Sequence, residues 1–376
     1  MRTYKIKEIT NRIFSGGTPS TTRPDYWDGD LNWLSSGETR NPFIKSTEKK
    51  ITTIGVSNSS TRLAHIGDTV IASAGQGYTR GQTSLLKINT YINQSIVALE
   101  PNKQIVVPEY LFYNLSNRYD EMRLLSDSSS TRGSITTKMV SDMTINLPNI
   151  SDQQHIVDTI GSVDDLIEKN KRIISKLEEH ITLNFLSIYK DVEENKTLKE
   201  LCQILLGGTP PRENTMYWNG DIPWINSGEI NKDAILEATE YITQLGLNKS
   251  AAKLMPKNTV VLAITGATLG QVSILKISCC ANQSVVGIVP STGLPCEYLF
   301  PLIKYKISKL VSMQTGGAQQ HINKDNIGSL KIFVPNKKEM DLFLNKTKPL
   351  FSEQERLLFE NKSLISIKQQ LLNKYF

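Results

Sequence analysis

Cysteine, histidine and tryptophan are scarce in this chain of 376 residues, with four of each, and each scarcity excludes something. Cys202, Cys279, Cys280 and Cys296 contain no C-x-x-C pair, so reduced, mostly buried thiols are expected rather than a zinc or redox site. His65, His155, His180 and His321 are scattered and do not recur between the halves of the chain. There is no Walker loop, no H-E-x-x-H, no G-x-S-x-G elbow and no strand-following G-x-G-x-x-G. No catalytic residue and no metal site is assigned. Apolar runs such as residues 260–264 are strand-length, far short of the roughly 20 residues that cross a bilayer. The basic N-terminus has no apolar stretch behind it, so neither a signal peptide nor a membrane association is expected, and the location expected is cytoplasmic.

What the chain does have is a duplication. Ile13, Gly16, Gly17, Thr18, Pro19, Tyr26, Trp27, Gly29, Asp30, Trp33, Ser36, Gly37 and Glu38 return in order as Ile204, Gly207, Gly208, Thr209, Pro210, Tyr217, Trp218, Gly220, Asp221, Trp224, Ser227, Gly228 and Glu229. Weaker echoes follow: Asn93-Gln94-Ser95 with Asn282-Gln283-Ser284, and Tyr110-Leu111-Phe112 with Tyr298-Leu299-Phe300. A repeat this long means two similar domains, not a solenoid. The composition, 39% hydrophobic and 21% charged, is that of a globular protein, and a net charge of +6 is compatible with a polyanionic partner without establishing one.

Each half reads as short β-branched runs between Gly-, Ser- and Asn-rich turns, then one helix (108–125 and 297–311), then a much longer one. The first long helix follows Pro148, with Ser151 and Gln154 as a capping box and Ile160, Ile167, Ile174, Ile181 and Ile188 every seventh residue. Asn170 interrupts its seam in the manner that fixes register. The C-terminal helix carries Phe343, Leu350, Leu357, Leu364 and Leu371, flanked by Phe351, Leu358, Ile365 and Leu372. A helix of about 38 residues is roughly 57 Å long, and the second stripe is buried without another chain only by running antiparallel along the first. The expectation is an α+β protein of two pseudo-two-fold globular domains, 1–150 and 191–335, separated by spacer helices 151–190 and 336–376 that pair as an antiparallel coiled coil. Pro349 should bend or restart the second helix.

Candidate sites divide into frame and variable loops. Asp30 with Glu38, and Asp221 with Glu229, could hold a divalent metal, but among turn residues they read better as caps. The Gly-Gly-Thr-Pro motif could cradle a phosphate or permit a tight turn, and the tryptophans read as core packing for that turn. Where the frames agree and the side chains differ, the chain offers Gln76, Tyr78, Thr79, Arg80 and Gln82 against Thr268 and Gln271, then Thr131, Arg132 and Ser134 against Gln319, Gln320 and His321. These side-chain types hydrogen-bond phosphates and base edges, so two matching heads with different readers would recognise two different half-sites.

In its repeated motif, its duplication and its heptads, the chain resembles the specificity subunits of type I restriction-modification systems. Their Ser-Gly-Gly-Thr-Pro-Ser signature is met by Ser15 to Ser20 and more loosely by Leu206 to Pro211; their proline followed by a glutamine-containing helix start is met by Leu147-Pro148 and Gln153-Gln154-His155-Ile156. In the second copy Val334-Pro335 is followed by Lys337-Lys338-Glu339-Met340, without that glutamine. The resemblance spans the whole chain. It implies a non-catalytic subunit with two target recognition domains, binding a bipartite, interrupted site in double-stranded DNA as part of a defence against phage. It further implies two methyltransferase subunits and two restriction motor subunits as partners. No cofactor belongs to this chain; S-adenosylmethionine, ATP and Mg belong to those partners. A specificity protein serving a methyltransferase alone, a duplicated metal-dependent hydrolase and a two-headed adaptor remain alternatives from sequence.

Overall fold

The computed structural model describes residues 2–75, 77–127, 133–189, 193–313 and 322–376. The chain forms two compact units, Met1–Glu168 with Ser363–Phe376, and Lys169–Lys362, so each unit takes a part of both long helices.

In the first unit a five-stranded sheet has the order Thr10–Ser15, Ile96–Pro101, Thr69–Ala72, Thr83–Leu86, Phe43–Ile44. The second unit repeats it strand for strand as Gln203–Leu206, Val285–Val289, Val260–Ala263, Val272–Leu275, Ala234–Ile235. The last strand of each is parallel to its neighbour and the others are antiparallel. Every residue of Thr69–Ala72 and Val260–Ala263 is buried, as a central strand covered on both faces requires. A second sheet is built on Trp27–Leu34 in one unit and Trp218–Ile225 in the other. A two-stranded ladder, Arg2–Lys5 with Thr144–Leu147 or Lys196–Thr197 with Lys331–Ile332, leads into each long helix.

The repeated tyrosine echo has a structural purpose. Tyr110 and Tyr298 are buried, and their hydroxyls donate to the carbonyls of Asn146 and Phe333 at 3.1 and 2.9 Å. Each ties the helix after the sheet to the strand that precedes a long helix. The segment expected as one helix over 108–125 is two, Pro108–Ser116 and Tyr119–Asp127.

The long helices are Ile150–Ile188 and Lys337–Tyr375, 39 residues each, and they run antiparallel within each unit. In the second unit Asn170 pairs with Asn361 at 3.1 Å and Gln354 with Glu178 at 2.9 Å. In the first, Lys368 pairs with Asp164 at 2.7 Å. Ile160, Ile167, Ile181 and Leu357 are buried, while Ile174, Leu350, Leu364 and Leu371 are half-buried.

Three local expectations need correction. Asn149, not Ser151, caps the first long helix: its side-chain oxygen accepts from the Asp152 N–H at 2.9 Å. Asn336 does the same for the second, accepting from Glu339 at 3.0 Å. Pro349 does not restart its helix, which continues through it; Pro349 and Asn345, whose carbonyl loses its donor, are both exposed, so water can satisfy the freed group. Ile365 is 57% exposed rather than part of the seam.

Candidate nucleic-acid interface

The glycine-tryptophan motif is scaffold. A Cβ on Gly16 would lie 1.9 Å from the Ile92 carbonyl oxygen, and one on Gly207 would lie 2.1 Å from that of Asn282. Close backbone approach, not an unusual dihedral, demands these glycines. The N–H groups of Gly17 and Gly208 are already spent on the carbonyls of Ile92 and Ala281, at 3.0 and 2.8 Å, which argues against a phosphate cradle. Trp33 and Trp224 are buried and donate their indole N–H to the Gly17 and Gly208 carbonyls. Each is met edge-on by Trp27 or Trp218 at ring-centroid distances of 5.0 and 5.1 Å. Thr18 and Thr209 reach Gln94 and Gln283, so the weak Asn-Gln-Ser echo is the other side of the same clasp.

The carboxylates of Glu38 and Glu229 are caps. Glu38 accepts from the Ser35 N–H at 3.0 Å and the Glu48 N–H at 2.8 Å; Glu229 accepts from Asn226 and Thr239 at 3.1 and 3.2 Å. Asp30 and Asp221 are exposed. Among the described residues no group of three or more His, Cys, Asp or Glu is placed to hold a metal ion. The four cysteines are free, and burial pushes their thiols up, to about 11 for Cys202 and Cys280 and about 12 for Cys279 and Cys296. They are poor nucleophiles at neutral pH.

The variable loops sit on one conserved backbone frame. At the hairpin tip of the first unit Gly81 N–H bonds the Ala72 carbonyl, Ala72 N–H bonds Gln82, and Gln82 N–H bonds Thr79. In the second unit Gly270, Ala263, Gln271 and Thr268 repeat those bonds. An isoleucine after each second variable stretch is held at the same place: Ile135 N–H bonds the Ser73 carbonyl at 2.9 Å, and Ile322 N–H bonds that of Ile264 at 3.2 Å.

Within this frame the candidates separate. Tyr78 is 84% exposed, and its carbonyl is held by the Tyr119 hydroxyl at 3.1 Å while Arg123 holds that of Gly77 at 2.7 Å. Gln82, half-buried, lines a hollow of about 370 Å³ with Arg40, Tyr78, Ser116 and Tyr119. Thr79 is half-buried beside it, and Ser134 is exposed on the second loop. Arg80 turns inward instead: it is buried and ion-paired to Asp127, across Gly133, whose φ of +48° leaves no room for a Cβ against the guanidinium. In the second unit Gln271 is exposed and Thr268 half-buried. Gln76, Thr131, Arg132, Gln319, Gln320 and His321 lie outside the described residues. Arg40, Tyr119 and Arg123, which lie beside this tip, fall outside the stretches where the two halves diverge, so the repeat did not point to them.

The arrangement offers hydroxyl, amide and guanidinium groups around a hydrogen-bonded turn, the chemistry of nucleic-acid contact, and, among the described residues, no constellation for bond-making. Known proteins agree. A family model described as "Type I restriction modification DNA specificity domain" matches residues 1–179 and again 189–351. The HindI specificity subunit of Haemophilus influenzae is 25% identical, over 76% of this chain and 80% of its own length. The MjaIX specificity subunit of Methanocaldococcus jannaschii is 23% identical, over 97% and 89%. In fold, the crystal structure of the type I restriction-modification S subunit from M. genitalium is similar at a TM-score of 0.58 and 15% identity, covering 100% of this chain and 96% of that one. The chain thus belongs to the type I restriction-modification DNA specificity subunits, a family of non-catalytic proteins with duplicated target recognition domains.

Proposed function

We propose that each unit reads one half of a bipartite, interrupted sequence in double-stranded DNA, through the hairpin tip around Tyr78 and Gln82 in the first unit and around Thr268 and Gln271 in the second. The observation that carries this reading is the pair of tips with the same backbone hydrogen bonds, on which an exposed Tyr78 in the first unit stands where Ala267 stands in the second, while Thr79 and Gln82 return as Thr268 and Gln271. Lysines and arginines supply salt-sensitive affinity that ignores sequence; a few contacts to base edges supply discrimination, each about 1–3 kcal/mol. The heptads between the readers set the number of base pairs in the gap.

In this reading two adenine methyltransferase subunits, using S-adenosylmethionine, and two motor nuclease subunits, using ATP and Mg, assemble with the chain, which binds none of these cofactors itself. Four free cysteines fit a cytoplasmic location, and no helix among the described residues is long and apolar enough to cross a membrane.

The test is to express the chain with its genomic neighbours and map methylated adenines. An interrupted two-part motif is expected. Tyr78→Ala with Gln82→Ala should relax one half only, and Thr268→Ala with Gln271→Ala the other. A continuous motif, or both halves changing together, would refute the assignment of one reader to each unit.

A further inference from the structure

The duplication breaks at one buried place. After Tyr110-Leu111-Phe112 comes Tyr113, and after Tyr298-Leu299-Phe300 comes Pro301. In the first unit Tyr113 is 2% exposed; its hydroxyl donates to Asp164 at 2.8 Å, and Lys368 bonds the other oxygen of that carboxylate at 2.7 Å with its ammonium 5.5 Å from the ring centroid. Gln369 closes the flank by reaching Asn117 at 3.0 Å.

None of these fillers recurs. Aligning Pro148 with Pro335 puts Phe351 where Asp164 stands and Ile181 where Lys368 stands. With the tyrosine ring replaced by a proline, the second unit keeps a cavity of about 320 Å³ walled by Ile181, Phe185, Phe300 and Pro301. Its polar side is Glu178 and Lys304, with Gln354 bonded to Glu178 at 2.9 Å and Lys304 paired to Asp233. Apolar cavities of about 150 Å³ already accept benzene, and ligand pockets begin at about 300 Å³.

We propose that this cavity binds a small phenol, the ring taking the place that Tyr113 fills in the first unit and the hydroxyl bonding the Glu178 carboxyl as Tyr113 bonds Asp164. The apolar walls select a ring, and the Glu178 carboxyl at one side gives a hydroxyl on that ring a partner that a plain hydrocarbon cannot use.

The test uses the full chain with p-cresol and toluene, followed by calorimetry and thermal shift. Saturable binding of p-cresol is expected, with toluene weaker. Pro301→Tyr should weaken p-cresol by about tenfold or more, 1.4 kcal/mol per decade, while the ligand-free melting temperature stays equal or rises. Should that variant fail to fold, two others decide. Glu178→Leu should erase the preference for p-cresol over toluene, and Tyr113→Ala should open a second p-cresol site. Absence of saturable binding to the wild-type chain, or undiminished binding by a folded Pro301→Tyr chain, overturns the proposal.

Discussion

Arg80 and Leu269 occupy the same place on two copies of one hairpin, each preceding the glycine whose N–H bonds back to the strand. Arg80 anchors its tip by an ion pair to Asp127; Leu269 anchors its own by packing on the hydrophobic core of the second unit. A polar anchor and an apolar one give the same backbone path. The frame is therefore held by main-chain hydrogen bonds, and the side chains at the tip are free to diverge without altering the fold.

If the frame is main chain, the largest losses should come from crowding it. Gly208→Ala places a Cβ 2.4 Å from the Ala251 carbonyl carbon and should cost about 3 kcal/mol in urea denaturation. Gly17→Ala should cost somewhat less, since the Ser60 hydroxyl at 2.0 Å can rotate away and the nearest backbone atom, the Ser60 carbonyl carbon, is at 2.8 Å. Gly37→Ala, with only Ser35 Oγ at 3.9 Å, should be neutral. A neutral Gly208→Ala would show that the backbone clasp gives way freely.

The helix starts sharpen the comparison next. Gln153 is buried, accepts from the Val107 N–H at 2.9 Å and donates to the carbonyls of Ile105 and Pro148 at 3.2 and 3.0 Å. Met340 stands in its place in the second copy. Gln153→Met should cost about 2 kcal/mol, because it takes the partner from the half-buried Val107 N–H and from the carbonyls of Ile105 and Pro148. An unchanged denaturation midpoint would mean that the glutamine is not needed to hold that turn.

Smaller effects belong to the tip itself. Arg80→Ala should cost about 1 kcal/mol, and Arg80→Leu, which imports the second unit's solution, less. Because Arg80 faces inward, neither should alter the half-site read in a methylation map; a changed half-site would place its guanidinium on DNA.

A different kind of effect is one of pH. The Glu178 carboxyl is pushed up to about 7 by burial and by the carboxyl of Asp233, against the opposing pull of Lys304 and Gln354. The folded chain thus keeps a proton that the unfolded chain, with an ordinary value of 4.5, has released. Stability should fall as pH rises from about 4.5 through about 7. Glu178→Gln should flatten that slope in melting temperature; an unaltered slope would assign the titration elsewhere. The matching position in the first unit, Ile365, does not titrate.

The repeat, the two long helices and the tyrosine echo were all legible, because each leaves a pattern of spacing. Other features were not, for physical reasons. Hydrophobic periodicity cannot register polar side chains within a seam: Thr347, which donates to the Phe343 carbonyl, Gln354, which bonds Glu178, and Asn361, which bonds Asn170, are all buried and recur every seventh residue beside the leucine stripe. Ile365, read as part of the apolar seam, was displaced by that hidden row. The inward turn of Arg80 depends on Asp127, 47 positions along the chain, a pairing no local pattern reveals. The helix cap shifted from Ser151 to Asn149 because a serine already inside the first turn cannot serve its own start. The matching backbone frame of the two hairpin tips was foreshadowed by the repeat, whereas which of their side chains face outward was not.

The amide pair Asn170–Asn361, with both residues at most 8% exposed, acts as a detent. Sliding one strand of the rod by a single turn would press each amide against hydrocarbon, so misaligned pairings are penalised twice over while the native one is not. A leucine pair there would be as greasy in several alignments as in one. What looks like a flaw in the apolar stripe is what tells the two helices of the second unit which alignment is the right one.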